Sequence, residues 1–167
     1  FLFPPLYGEG YDSVLNLLNR QSGLLIVDNI IIADSGPWTL IVFATALMLL
    51  KVVATSLTVG AGGNGGMFGS SLFTGAMFGY AFSHTVNLLG LAHLNEVNFT
   101  VIGMAGMMSG IIHAPLTAIF LIAEITGGYA LFVPLMIVVS IAYLVSRYFE
   151  PFSVYTKKLA QKGDMIT

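Results

Sequence analysis

The sequence predicts an all-α, multi-pass membrane protein whose helices are broken and tilted within the bilayer. Of its 167 residues, 56% are hydrophobic and only 8% are charged, whereas soluble domains carry about 25% charged residues. Between Lys51 and Arg147 the only acidic or basic residues are Glu96 and Glu124. The chain also lacks the period-2 alternation of half-buried strands. Within lipid, helices satisfy their own backbone polar groups.

Charge and cysteine content exclude several classes of function. A net charge of -2 is too small to indicate a nucleic-acid partner. The chain has no cysteine, so we expect no disulfide framework and no cysteine-based metal or redox site. No cofactor is expected. Because the chain begins at Phe1 within an apolar context and shows no signal-peptide pattern, we interpret it as a fragment of a longer protein.

Residues 1–36 are predicted to form partial helices and connecting loops. Tyr11 to Leu18 is predicted as a short helix, with Asp12 or Ser13 near its N-cap. The apolar run from Leu24 to Ala33 contains Asp28 and is too short to span a bilayer.

Pro37 to Thr58 is the first segment long enough to span a bilayer. Pro37 suits a first helical turn and Trp38 suits a membrane interface. Lys51 is the one basic residue in the run, and we interpret it as a snorkelling or paired lysine.

The rest of the chain is predicted as helices interrupted by glycine and proline. In Met67 to Leu91, Gly75 and Gly79 have the GxxxG spacing that allows close helix approach. The polar connection His93–Asn98 follows. Three apolar helices are then predicted over Phe99–Ile112, Leu116–Thr126 and Tyr129–Tyr148. An amphipathic helix is predicted from Glu150 to about Gly163. Such broken helices are typical of ion sites in channels and transporters. Arg147, Lys157, Lys158 and Lys162 predict a cytoplasmic C-terminus.

The glycines from Gly60 to Gly66 carry a possible ion site. Gly60–Gly65 fits G-x-G-x-x-G, but a bilayer-length helix precedes it and the next acid is Glu96, so a dinucleotide site is rejected. No GK[ST] follows, which excludes a P-loop. A helix beginning at Met67 would direct unpaired N–H groups toward the loop and could bind an anion. Tight helix packing beside a turn explains the same glycines equally well.

Two longer segments resemble the CLC family of chloride channels and chloride/proton antiporters. Gly65 to Ala76 is similar to the family's GGxFxPSLFxGA segment, and His113 to Ile119, Glu124 to Thr126 and Pro134 to Ile137 resemble its RAPLTAI…ELTG…LPLMI stretch. Met104-Ala105-Gly106 precedes the second segment as in the family. Ser70 stands where the family usually has proline, and His113 where arginine is common.

The resemblance implies a fold, a function and partners. Residues 37–163 would form the C-terminal half of an inverted-repeat CLC transmembrane domain, and 164–167 the start of a cytoplasmic tail. The whole protein would be an integral membrane homodimer that transports chloride, either as a voltage-gated-type channel or in exchange for protons. Chloride would be a transported ligand, and the chain would not be an enzyme.

The resemblance also implies an anion site. The backbone amides of Met67, Phe68 and Gly69 would bind chloride, and the Tyr155 hydroxyl would bind the central ion. From the residues alone, Tyr155 could instead be an interfacial tyrosine, and Tyr148 lies nearby.

Three alternatives remain open at this point. Glu124 in an apolar helix could relay protons, although we assign it a structural role because the family's gating and proton-carrying acids lie in the other half. Ser109 and His113 are four residues apart and could belong to an intramembrane serine hydrolase, but no nucleophile motif surrounds Ser109. A different broken-helix secondary transporter is the third alternative.

Overall fold

The computed structural model describes residues 8, 10–19, 37–62, 66–127 and 129–161, and within them all regular secondary structure is α-helical. This confirms the predicted fold class. The helices are α1 (Tyr11–Leu18), α2 (Pro37–Gly60), α3 (Met67–Leu88), α4 (Glu96–Ile112), α5 (Pro115–Ile125), α6 (Phe132–Phe149) and α7 (Val154–Gln161). The predicted run Leu24–Ala33, the middle of the glycine loop and the tail 164–167 lie outside the described residues.

Helix ends differ from the prediction where a local cap decides them. α4 begins at Glu96, three residues earlier than predicted, because the Asn95 side chain accepts hydrogen bonds from the amides of Val97 at 3.1 Å and Asn98 at 3.4 Å. α6 begins at Phe132, so Pro134 lies in its first turn, where its missing N–H leaves no acceptor unsatisfied.

The structure identifies the N-cap of α1. Gly10, in a left-handed conformation with φ of 77°, precedes the helix, and no side chain caps it. Asp12 lies instead in the first turn, where its carboxylate is favourably placed relative to the helix dipole. Asp12 and Ser13 therefore lie near the N-cap, as predicted, while the cap itself is Gly10.

The chain divides into two compact units, residues 1–104 and 105–167, and the boundary falls inside α4. In the first unit α3 packs against α2 and α1. Its core is built mainly from apolar side chains of these three helices, including Val14, Leu17, Phe43, Leu47, Leu72, Phe73, Met77 and Tyr80. The Lys51 side chain is only 4% exposed. Its ammonium donates to the Gly8 carbonyl at 2.6 Å and lies 5.2 Å from the centre of the Phe73 ring, so Lys51 is paired and does not snorkel.

Glycines bring α3 and the first half of α4 into backbone contact. A Cβ atom built at Gly75 would lie 2.8 Å from the Met104 Cα, and one at Gly79 would lie 2.8 Å from the Phe99 carbonyl carbon. A Cβ at Gly103 would lie 3.0 Å from the Gly79 Cα. The close approach predicted from the GxxxG spacing is therefore confirmed, and Gly103 completes the seam.

In the second unit, two serines join α4 to α6. The fully buried Ser109 hydroxyl donates to the Val139 carbonyl at 3.0 Å. The Ser146 hydroxyl donates to the Gly110 carbonyl. Serine-to-backbone hydrogen bonds of this kind let helices associate in lipid, where apolar burial between helices provides little driving force. α5 packs on α6, and the buried apolar residues of these two helices include Ala118, Ile119, Ile122, Leu135 and Val139.

Two segments of the described chain are long and apolar enough to cross a membrane, Trp38–Gly60 and Phe132–Lys157. Their outer faces expose large apolar side chains, among them Val42, Leu49, Val53 and Leu57 on α2 and Val133, Ile137, Ile141 and Leu144 on α6. Faces of this kind are suited to lipid or to another protein segment, and they agree with the integral membrane location predicted from the sequence.

Candidate anion site

The predicted amide ligands form the first turn of α3. Gly66 is its N-cap in an extended conformation, with φ of -65° and ψ of 110°, and it provides no side-chain cap. Met67, Phe68 and Gly69 follow as the first three helical residues; Met67 and Phe68 are half-buried and Gly69 is buried. Amides at these positions have no partner within their own helix and carry the positive end of its dipole. α3 has 22 residues, so this dipole is fully developed.

Ser70, which replaces the family's proline, fits the helix start without disrupting it. Its hydroxyl donates to the Met67 carbonyl at 3.1 Å and approaches the Gly66 carbonyl at 3.5 Å. Unlike proline, it also retains its backbone N–H. The helix still begins at Met67, so the expected start of α3 does not depend on proline.

Tyr155 is the second residue of α7. The start of this helix is capped by Ser153, whose hydroxyl oxygen accepts a hydrogen bond from the Thr156 amide at 3.3 Å. The Tyr155 side chain is 54% exposed. Among the described residues none forms a hydrogen bond with its hydroxyl, which leaves this group available to an external ligand. Tyr148, the competing tyrosine, lies on α6 and is 83% exposed.

The two parts of the predicted site belong to different units of the structure. Met67, Phe68 and Gly69 lie in the first unit, and Tyr155 lies in the second. Gly63, Asn64 and Gly65 of the preceding loop lie outside the described residues. The convergence of the amides and the tyrosine on one ion therefore remains a prediction.

The hydroxyl and imidazole of the alternative hydrolase pair have other partners. Ser109 donates to the Val139 carbonyl. The His113 Nε2 atom lies 3.3 Å from the Ser146 hydroxyl, and its ring makes an edge contact with Tyr143. His113 itself has a left-handed backbone with φ of 60° in the break between α4 and α5. This arrangement suits a structural link between helices and does not form a nucleophile–base pair.

Glu124 is exposed, and its carboxylate makes no hydrogen bond with any residue in the described part of the chain. The structural hydrogen-bond role expected for this residue is therefore not supported within this chain. Glu124 lies near the end of the short helix α5, within the apolar helix predicted from the sequence.

A polar cluster that the sequence did not reveal lies at the turn between α3 and α4. The His84 Nδ1 and Glu96 Oε1 atoms are 2.7 Å apart. Asn87 closes the turn, since its amide group donates to the Leu94 carbonyl at 2.9 Å and accepts from the Leu94 N–H at 2.7 Å. A cavity of about 410 Å³ adjoins this cluster. Its walls come from α1, the second half of α3, the connecting residues 93–95 and the start of α4, and none of the predicted anion ligands lines it.

Comparison with known proteins identifies the family. The sequence profile described as voltage gated chloride channel matches residues 1–147. A ClcB-like protein of Ralstonia nicotianae is 31% identical over 96% of this chain and 34% of its own length. The H(+)/Cl(-) exchange transporter ClcA of Vibrio parahaemolyticus is 33% identical over 68% of the chain and 24% of its own length.

A third relative covers the same region. The voltage-gated ClC-type chloride channel ClcB of Escherichia coli is 29% identical over 95% of this chain and 34% of its own length. The chain thus spans about a third of the length of the curated relatives that it matches across nearly its whole sequence. These relatives are named as channels or transporters and not as enzymes. Its helical fold, its apolar faces and this match together show that the chain belongs to the voltage gated chloride channel (CLC) family.

Proposed function

We propose that the protein containing this chain transports chloride across a membrane, with the ion bound by the first-turn amides of α3 and by the Tyr155 hydroxyl. The observation that carries this proposal is the start of α3. A glycine N-cap without a side chain precedes three residues whose amides point out of a 22-residue helix. In the family to which the chain belongs, relatives are named as a chloride channel and as a proton/chloride exchanger.

The proposed ligands suit an ion that must both enter and leave. Backbone amides and a tyrosine hydroxyl donate hydrogen bonds without a full positive charge, so they stabilise chloride without trapping it. Lys51, a buried cation of the first unit, donates to the Gly8 carbonyl. We therefore expect neutral donors to make the direct contacts with the ion.

The Tyr155 hydroxyl gives the first test. In the full-length protein reconstituted into liposomes, we expect Tyr155→Phe to weaken chloride binding by about tenfold, because a hydrogen bond to a charged group contributes about 1.5 kcal/mol or more. Chloride efflux measured with a chloride electrode, together with calorimetric titration of chloride, would show the change. In an exchanger the same variant should also loosen the coupling of chloride flux to proton flux.

Tyr148→Phe is the matched control. It removes the same hydroxyl from a tyrosine that is 83% exposed on α6, and chloride binding should remain as in the wild type. Equal chloride affinity in Tyr155→Phe and wild type, with the fold intact, would remove Tyr155 from the site and leave the α3 amides. Absence of any halide flux in the wild-type protein would contradict chloride transport itself. Measurement of proton flux during chloride efflux distinguishes a channel from an exchanger.

We also propose that the C-terminus is cytoplasmic and that the full protein is a homodimer. Arg147 and Lys157 are exposed in the C-terminal part of the second candidate span, as expected near the cytoplasmic side. For the dimer, α5 exposes Leu116 and Phe120, whereas Ile119 and Ile122 are buried within the unit. The face available to a partner therefore lies along Leu116 and Phe120.

Cysteine crosslinking tests the proposed dimer face. In a cysteine-free background of the full-length protein, Phe120→Cys should form covalent dimers in membranes, since its side chain points outward from α5. Ile122→Cys is the control on the buried face of the same helix and should stay monomeric on denaturing gels. Crosslinking through α2, at Val53→Cys, with none at Phe120→Cys would place the interface elsewhere.

A further inference from the structure

The end of α6 presents an exposed cation that is followed along the chain by exposed aromatic residues. Arg147 lies in the last turn of this helix and is exposed. The side chains of Tyr148 and Phe149 are 83% and 79% exposed, and their rings contact each other edge to face with centroids 5.4 Å apart. Phe152 follows in the turn and is also exposed. We call these four residues the α6-end patch.

The distribution of charge places this patch near the membrane surface. From Phe132 to Ser146, α6 contains no acidic or basic residue. Arg147, Glu150 and Lys157 then follow closely. Since a charged side chain is costly at the bilayer centre, we place Arg147 toward the edge of the hydrocarbon layer, within the C-terminal part of the candidate span Phe132–Lys157. Exposed tyrosine and phenylalanine at that depth match the aromatic residues that line membrane interfaces.

Arg147 keeps its charge available for an external anion. One of its NH groups donates to the Tyr143 hydroxyl on the preceding turn, and the guanidinium carbon lies 5.7 Å from the centre of the Tyr143 ring. Within the described ranges no carboxylate forms an ion pair with Arg147. Lys157, by contrast, is paired with a carboxylate, because its ammonium lies 2.8 Å from the Glu150 Oε2 atom. Contact with Tyr143 therefore orients the guanidinium without neutralising it.

We propose that the α6-end patch binds the headgroup phosphate of an anionic phospholipid, with Arg147 as the ligand and the exposed rings of Tyr148 and Phe149 packed beside the lipid. The planar guanidinium has several donors free and matches a phosphate group better than an ammonium does. Between Arg147 and Asp164 the chain has four basic and two acidic residues, so its local charge favours an anionic over a zwitterionic lipid. This site is separate from chloride transport and would regulate or anchor the end of α6.

Native mass spectrometry of the full-length protein tests this proposal. The purified protein is titrated with phosphatidylglycerol and, separately, with phosphatidylcholine. We expect phosphatidylglycerol to be retained more strongly, and Arg147→Gln to weaken its retention by about fivefold, the effect of one basic residue near an anionic membrane surface. Arg147→Lys, which retains the charge but loses the planar donor pair, should give an intermediate value.

A double variant provides the matched control. Glu150→Gln combined with Lys157→Gln removes the neighbouring ion pair without changing the net charge, and it should retain phosphatidylglycerol as the wild type does. Equal retention in Arg147→Gln and wild type, or equal retention of the two lipids, would overturn the proposal. Addition of excess inorganic phosphate distinguishes a lipid headgroup from free phosphate as the ligand. Displacement of the bound lipid by inorganic phosphate would show a site for free phosphate and would contradict the assignment to lipid.

Discussion

Gly79→Ala is expected to destabilise the protein severely, by about 3 kcal/mol. The added Cβ would lie 2.8 Å from the Phe99 carbonyl carbon and 3.0 Å from the Thr100 Cα, and closer still to the Phe99 carbonyl oxygen. All of these are backbone atoms of α4, so no rotamer change can relieve the overlap. The two helices would have to separate, and separation would also open the contacts at Gly75 and Gly103.

Gly110→Ala is the matched control for this prediction. Gly110 lies on the same helix α4, but a Cβ there would meet its nearest neighbour, the Ser146 Cβ, at an ordinary 3.8 Å. Thermal unfolding of the full-length protein in detergent, followed by size-exclusion chromatography, should show a much lower midpoint for Gly79→Ala than for Gly110→Ala. Similar midpoints for the two variants would mean that the glycine seam does not hold α3 against α4.

Met67→Pro is expected to weaken chloride binding by about tenfold or more, because it deletes one amide that would donate to the anion. At this position the substitution should remove the amide without disturbing the helix. Met67 is the first helical residue, where proline is preorganised for the helix. Gly66 before it is already extended, with ψ of 110°, and proline favours an extended conformation in the residue that precedes it. Helix α3 should therefore start as before.

Met67→Leu is the control because it changes the side chain and keeps the amide. Calorimetric titration of chloride into the full-length protein should give wild-type affinity for Met67→Leu and weaker affinity for Met67→Pro. A matched circular dichroism spectrum would show that both variants keep their helices. If proline at this position leaves affinity unchanged, the Met67 amide does not contact the ion, and the ligands of this half would be reduced to Phe68, Gly69 and Tyr155.

The helices were predictable from the sequence because backbone polar groups within lipid must form hydrogen bonds inside their own segment. Long apolar segments with few charges are helical in lipid. Pro37 indicated where a helix begins, and Gly75 and Gly79 indicated where helices pack closely. The errors arose at ends decided by single side chains. Asn95 followed by Glu96 was a readable capping signal for α4, and the position of Pro134 in a first turn could have moved the start of α6 to Phe132.

Contacts between residues that are far apart along the chain could not be predicted from the sequence. Gly103 pairs with Gly75 and Gly79, and His84 pairs with Glu96, but neither pairing follows a helical or strand period, so no local pattern indicates it. The anion site shows the same limit. Local residues predicted the start of α3 at Met67, whereas Tyr155 was chosen only through resemblance to the family, because an exposed tyrosine near a membrane surface has an equally good interfacial explanation.

Bromide substitution tests the central claim most directly. Crystals of the full-length protein grown in bromide should show an anomalous scattering peak about 3–3.5 Å from the amide nitrogens at the start of α3 and from the Tyr155 hydroxyl, the range expected for hydrogen bonds to a large halide. The Tyr148 hydroxyl should lie outside that range. Ordered bromide elsewhere in the membrane domain, with no peak beside Met67, Phe68 or Gly69, would contradict the proposed anion site.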